Sequence, residues 1–459
     1  MRLSRKATGF VAATLLLAVG QPASTLAGTP PPNSVPPPVD RSLRPGVAAP
    51  SADQTYKRNS KACNESGTDG AVLTTKPHSQ LVLRLDEAHR FATGKGVTIA
   101  VIDTGVEPHE RLKGRVEAGG DYVVPAEQGL VDCDGHGTEV AGVAAASKDD
   151  ASGFVGAAPD AKILSIRQKS DFYEAEGTRK TTGDVATLAQ AVVRAVDRGA
   201  DVINISLTLC AKPAKPSQGE RQLQAAIDWA VNEKDVVIVT AAGNLGAEGK
   251  ACPAQNDKQD EENVNVVASP PWYRDDVLSV ASVDRGGNPS QFSLWGPWVG
   301  IAAPGEEITT IDPHGDGLTN AAIAEDGTPT GIQGTSFAAP YVAGIAALVR
   351  ERHPELTARQ VVDRLTSTAQ HPGDTDGRDR KVGAGMVNPV AALTAVLPAE
   401  QPGYQAPAPP PVMTELLPAP RQDRTPVVVA LSGTGIALGL LLFTMFVLHT
   451  TKRTRERRG

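Results

Sequence analysis

Short apolar runs alternate with longer amphipathic stretches through the middle of this chain. Residues 97–102, 163–166, 202–205, 236–239 and 277–280 are apolar runs of strand length, built mainly from Val, Ile and Leu. Runs of this kind mark strands buried on both faces, as in a parallel sheet. Helical spacing of apolar positions falls between and after them, over 185–198, 223–232 and 337–350. Strand and helix in alternation predict an α/β fold, a doubly wound and mostly parallel sheet with helices on both faces. Ligands of such sheets sit at the carboxyl ends of the strands. Asp103 directly follows the first run, and Asn244 follows the run that begins at 236. His136 and Ser336 each open a predicted helix, so all four can converge on one edge. No fixed-period repeat interrupts the pattern.

The two ends have other patterns. Arg2, Arg5 and Lys6 precede a short apolar run, 10–19, and small residues at 25–27 offer a cleavage site; residues 1–27 read as a signal peptide. Residues 427–448 form a charge-free stretch of ~22 residues, ~33 Å as a helix and enough to cross a bilayer. Lys452, Arg453, Arg455, Arg457 and Arg458 follow, and positive flanks stay cytoplasmic. The expected topology is a single-pass anchor with the bulk of the chain outside the cytoplasm and the tail, 449–459, inside. Pro-rich stretches flank the middle. One, within 28–84, reads as an extended arm; the other, 398–426, as a semi-rigid spacer.

Composition narrows the functional classes. The net charge of −7 comes with basic clusters only at the chain ends, which argues against a nucleic-acid partner. Four cysteines, Cys63, Cys133, Cys210 and Cys252, suit an oxidising compartment, and the sequence alone allows three pairings. No Cys-x-x-Cys pair or adjacent His supports a metal, and no cofactor motif is present.

Three local motifs carry chemistry: Val-Ile-Asp103-Thr-Gly, Asp-Gly-His136-Gly-Thr and Gly-Thr-Ser336-Phe-Ala-Ala-Pro340, spaced 33 and then 200 residues apart. A serine hydroxyl needs a base, and the base needs a group that fixes its tautomer and stabilises its cation. The assignment is Ser336 as nucleophile, His136 as base and then acid, and Asp103 as orienting carboxylate. Ser336 at a helix N-terminus has free N–H groups beside it, and Asn244 is the side-chain donor of an oxyanion hole. Singly, each residue has an ordinary reading as cap or turn; their joint order outweighs it. Asp132 and Asp134 read as a polar turn, and the remaining histidines as surface or structural. An esterase reading is disfavoured, since Ser336 lacks the Gly-x-Ser-x-Gly elbow.

These motifs resemble those of the subtilisin-like serine proteases (subtilases, peptidase S8) over about residues 85–397. The resemblance implies peptide-bond hydrolysis, with an extended substrate beside Ser206 and Leu207. It also implies a primary specificity pocket walled by Ala242 and Gly243. Thr208 and Leu209 stand where that family commonly has two glycines. No calcium-site signature stands out.

The signal, Pro-rich arm, Pro-rich spacer, single apolar helix and basic tail are together most similar to mycosins. Those are membrane-anchored proteases of mycobacterial type VII secretion. The implied role is limited processing of secreted substrates and support of the membrane secretion complex; the alternative is a structural subunit in which proteolysis is secondary. That group is described by an arm that wraps the catalytic domain. Such an arm makes Cys63–Cys133, which would staple it beside His136, the preferred pairing; Cys210 and Cys252 follow the ends of two neighbouring predicted strands and are preferred as a local bridge.

Overall fold

The computed structural model describes residues 33–68, 73–177, 181–246, 252–257, 263–324, 326–374, 377–401, 404 and 425–456. The expected signal peptide, most of the 398–426 spacer, and Arg457 and Arg458 lie outside the described residues. The chain divides into two units at Glu400/Gln401.

The first unit is organised by seven strands: β1 (Thr98–Asp103), β2 (Val116–Asp121), β3 (Lys162–Arg167), β4 (Val202–Ile205), β5 (Val237–Ala241), β6 (Leu278–Val283) and β7 (Val299–Pro304). Their order across the sheet is β7-β6-β5-β4-β1-β3-β2. Every pairing in it is parallel. The fold is therefore the expected subtilisin-like α/β architecture. β4 and β6 are buried along their whole length. That explains why apolar runs, not alternation, betrayed them. β2 was not anticipated: it is a half-exposed edge strand, Val-Glu-Ala-Gly-Gly-Asp, with a register shift between Ala118 and Gly120. β7, Val-Gly-Ile-Ala-Ala-Pro, has too little bulk to stand out.

Five helices cover the sheet: α1 (His136–Ala145), α2 (Val185–Asp197), α3 (Gln218–Asn232), α4 (Thr335–Arg352) and α5 (Ala358–Ser367). Reciprocal capping boxes start three of them, Asp184 with Thr187, Ser217 with Glu220, and Thr357 with Gln360. α3 begins five residues before its apolar periodicity because its first turn is polar. α1 and α4 are buried almost all round, and α4 is rich in Ala, so it runs through the core.

Residues 33–68 lie along the surface of this unit. Gln224 donates to the Pro37 carbonyl at 2.7 Å. Arg41 pairs with Asp228 at 2.7 Å, and Arg44 stacks over the Trp229 ring at 4.4 Å. Further on, Tyr56–Arg58 pairs antiparallel with Tyr173–Ala175, and Glu65–Gly67 joins Ala321–Ile323 and Pro329–Gly331 in a three-stranded sheet. Disulfides link Cys63 to Cys133 (2.04 Å) and Cys210 to Cys252 (2.01 Å).

In the second unit, one helix, α6 (Thr425–Glu456), is described. Its stretch Val427–Arg453 has a mean hydropathy of 2.2, and its apolar side chains are exposed, Phe443 at 66%. It is long and apolar enough to cross a membrane.

Candidate active site

Asp103 ends β1 and is fully buried. Its Oδ1 accepts the Thr104 N–H at 2.8 Å and lies 2.7 Å from His136 Nδ1. The 33-residue gap closes because α1 returns onto the end of β1. Gly137 makes that return possible: a Cβ there would lie 2.0 Å from the Gly105 carbonyl oxygen. Asp132 builds the turn into α1. Its carboxylate accepts from Thr104 Oγ1, Gly135 N–H, Thr138 N–H and Thr138 Oγ1, all within 2.9 Å. Burial pushes its pKa up to about 6 against the hydrogen bonds from Thr138 and Thr104. Among the described residues, no group of three His, Cys, Asp or Glu is arranged to hold a metal.

The protonation of His136 follows from these neighbours. Burial disfavours the imidazolium, but the Asp103 carboxylate outweighs it, with Glu139 and Asp132 adding. The pKa is pushed up to about 9. With Asp103 accepting from Nδ1–H, the remaining lone pair is on Nε2.

Ser336 is the second residue of α4 and is 7% exposed. Gly334, the N-cap, has φ 152°, and a Cβ there would sit 2.9 Å from Ser336 Oγ. The motif therefore needs glycine at that place. The Phe337 ring meets the His136 ring edge-on at 5.3 Å, so the start of α4 and the start of α1 share one rim. No hydrogen bond joins His136 to the Ser336 hydroxyl in this structure; Asp103 and His136 are joined, and Ser336 is brought to the same rim.

Asn244 follows β5. Its Oδ1 accepts from both Thr335 N–H and Thr335 Oγ1 at 2.9 Å. A backbone N–H can only donate, so the oxygen is fixed there and Nδ2 is turned to the other side. The same Nδ2 is 3.4 Å from the Cβ position of Gly334, near Ser336 Oγ. The Ser336 N–H lies in the first turn of α4 and has no carbonyl within the helix to bond.

Ser206 is buried, and Ser206 Oγ donates to the Ser336 carbonyl at 2.8 Å. Leu207 is half-buried next to it, while Ala242 and Gly243 are buried across the gap. Thr208 Oγ1 donates to the Ala241 carbonyl at 3.2 Å, bridging the two segments. A Cβ on Gly243 would meet Cys252 Sγ at 2.9 Å and Thr208 Cγ2 and Leu294 Cδ2 at 3.4 Å. Sequence reasoning assigned Thr104 no role and Thr335 only a place in the turn before Ser336; both tie the motifs together by hydrogen bonds with Asp132, Gly137 and Asn244. Both sit inside the motifs, next to Asp103 and Ser336, which was the available signal.

A buried acid on an imidazole, a serine opening a helix and an amide beside it, all at the carboxyl edge of a parallel sheet, define a subtilisin-type serine peptidase. The pattern of the subtilase family (peptidase S8) matches residues 94–385, and the chain belongs to that family of serine endopeptidases. Within it, the chain is similar to mycosins over most of its length. Mycosin-1 of Mycobacterium tuberculosis is 41% identical over 450 residues, 94% of this chain and 96% of that protein. Mycosin-3 of the same organism is 43% identical over 451 residues, 93% of this chain and 95% of that one. Among solved structures, MycP1 from the ESX-1 type VII secretion system superposes with a TM-score of 0.74 at 41% identity. It covers 81% of this chain and 98% of its own. A chain of the periplasmic assembly from the ESX-5 inner membrane complex gives 0.74 at 38% identity, covering 84% and 99%.

Proposed function

We propose that this chain is a membrane-anchored endopeptidase acting outside the cytoplasm in type VII protein secretion, with Asp103, His136 and Ser336 as its triad. The observation that carries the reading is the 2.7 Å contact of Asp103 with His136 Nδ1. The start of the Ser336 helix stands at the same imidazole through Phe337. Substrate binding draws Ser336 Oγ and His136 Nε2 into hydrogen-bond range, a contact that is commonly loose before a substrate arrives. Nε2 then takes the hydroxyl proton as Oγ bonds to the scissile carbonyl carbon. The negative oxygen is met by Ser336 N–H and Asn244 Nδ2. His136 returns the proton to the leaving amine as the C–N bond breaks. A water molecule repeats the sequence, releasing the acyl group and restoring Ser336. Ser206, Leu207, Ala242 and Gly243 line the place of the extended peptide.

The organisation proposed is a signal peptide 1–27, an extension 28–84 that wraps the catalytic domain, the domain itself at 85–397, a spacer 398–426, a span 427–448 and a basic cytoplasmic tail 449–459. The disulfides, the length and apolarity of α6, and Arg453 and Arg455 in its last turn support this topology. The occurrence of a 38% identical chain in the ESX-5 inner membrane complex supports a secretion complex as partner. The same observation supports a second reading, a structural subunit whose proteolysis is secondary. Complementation separates them. Export and the secreted peptides are compared in cells carrying wild-type or Ser336→Ala protein. Loss of specific cleavage products supports the peptidase role. Full export with an unchanged set of peptides overturns it in favour of the structural one.

A further inference from the structure

Glu139 is a buried acid that the steps above do not use. It lies on α1 three residues after His136, on the same helical face, where side chains are neighbours. The residue is 9% exposed. Among the described residues, the side-chain bond it receives is at its backbone, where Thr310 Oγ1 donates to its carbonyl. Its carboxyl forms no hydrogen bond or ion pair among the described residues. A carboxyl in that position is costly, since burial of an ionised acid without a partner is among the most destabilising arrangements a side chain can adopt.

The groups that face it decide what it does. On its own helix there is His136; from the end of β1, Asp103; from the turn into α1, Asp132; from the turn after Thr310–Ile311, Asp312. Three of these four are acids. His136 is the one group of the set able to carry a positive charge. Burial and its acidic neighbours therefore keep Glu139 protonated to a higher pH than an ordinary carboxyl, a protonated His136 opposes them, and the group is ionised in the range where His136 itself titrates. The reciprocal must hold: ionised Glu139 favours protonated His136.

We propose that Glu139 is a positioning residue acting through His136, a second carboxyl that sets the proton affinity of the base together with Asp103. This rests on the assignment of His136 as base. Asp103 holds one side of the ring by hydrogen bond; Glu139 acts from the adjoining helical turn by charge. The titration behaviour is in accord. Burial, foremost, and then Asp132, Asp312 and Asp103 push the Glu139 pKa up to about 8 against the opposing influence of His136.

The test uses the full-length protein in detergent and measures the rate of fluorophosphonate labelling against pH, which reports the ionisation of the base without a substrate. Glu139→Gln keeps the shape and removes the charge; Glu139→Met replaces the acid with an apolar chain of similar length. Either variant is expected to move the acidic limb to lower pH by roughly half a unit or more. Glu139→Asp, still ionisable, is expected to return the limb toward its original place. A limb that superimposes on that of the unmodified protein, or labelling that falls by one factor at every pH, overturns the proposal. Absence of labelling in the unmodified protein would instead strike the assignment of the site itself.

Discussion

At Ser336 a proline four residues on shapes the nucleophile's surroundings. Pro340 has no N–H, so the Ser336 carbonyl loses its helical partner, and Ser206 Oγ takes its place at 2.8 Å. Ser206→Ala should leave that buried oxygen unpaired. The expected cost is about 1–3 kcal/mol in denaturant unfolding. Asn244→Ala should lower kcat by about 10²–10³ with a smaller change in KM, since its donor meets charge only in the transition state. The pH profile follows from His136. Only the neutral ring accepts a proton, so kcat/KM should rise with pH through a midpoint above the ordinary 6.5, toward about 9. Asp103→Asn should move that midpoint down and reduce kcat together. For stability the sign is opposite: the raised pKa favours the fold fully below about 6.5 and loses that contribution as pH rises through about 9.

Among the elements, the segment before α1 is held from outside the sheet. Cys63 is bonded to Cys133, Asn64 N–H donates to the Cys133 carbonyl at 3.1 Å, and Asn64 Nδ2 donates to the Asp134 carbonyl at 2.8 Å. Replacing both Cys63 and Cys133 with Ser should cost about 4 kcal/mol by the loop-entropy account, read as a lower unfolding midpoint under non-reducing conditions. With Gly243 in the proposed specificity pocket, Thr208, bonded to Ala241 and with Cγ2 3.4 Å from the Cβ position of Gly243, takes up space there, so peptides with a small residue before the scissile bond should be preferred. Thr208→Gly should relax that preference in a peptide-library cleavage assay. What the sequence disclosed at this scale followed burial. Strands buried on both faces, such as β4 and β6, stood out as apolar runs. The edge strand β2 and the small-residue strand β7 did not, because neither has a continuous bulky face. Asp103, His136, Ser336 and Asn244 were legible as candidates since their glycine-rich contexts are short-range. The closeness of Thr208 to Gly243, and of Glu139 to Asp312, was not, since each depends on segments far apart in the chain meeting in space.

For the molecule as a whole, the catalytic unit and α6 make separate demands on solvent. The first buries its apolar side chains within itself. The second leaves Val427 through Leu448 largely uncovered. A chain ending at residue 400 should therefore remain in solution without detergent, while the full chain should sediment with membranes and resist extraction by alkaline carbonate. Sedimentation of the truncated chain with membranes would assign the anchoring to another segment.

The convergence of Asp103, His136 and Ser336 is tested most directly by active-site labelling. The purified protein is treated with a fluorophosphonate and the modified residue identified by peptide mass spectrometry. A single adduct is expected on Ser336, abolished in Ser336→Ala and strongly slowed in His136→Ala. A folded protein that takes no label, or takes it elsewhere, would contradict it.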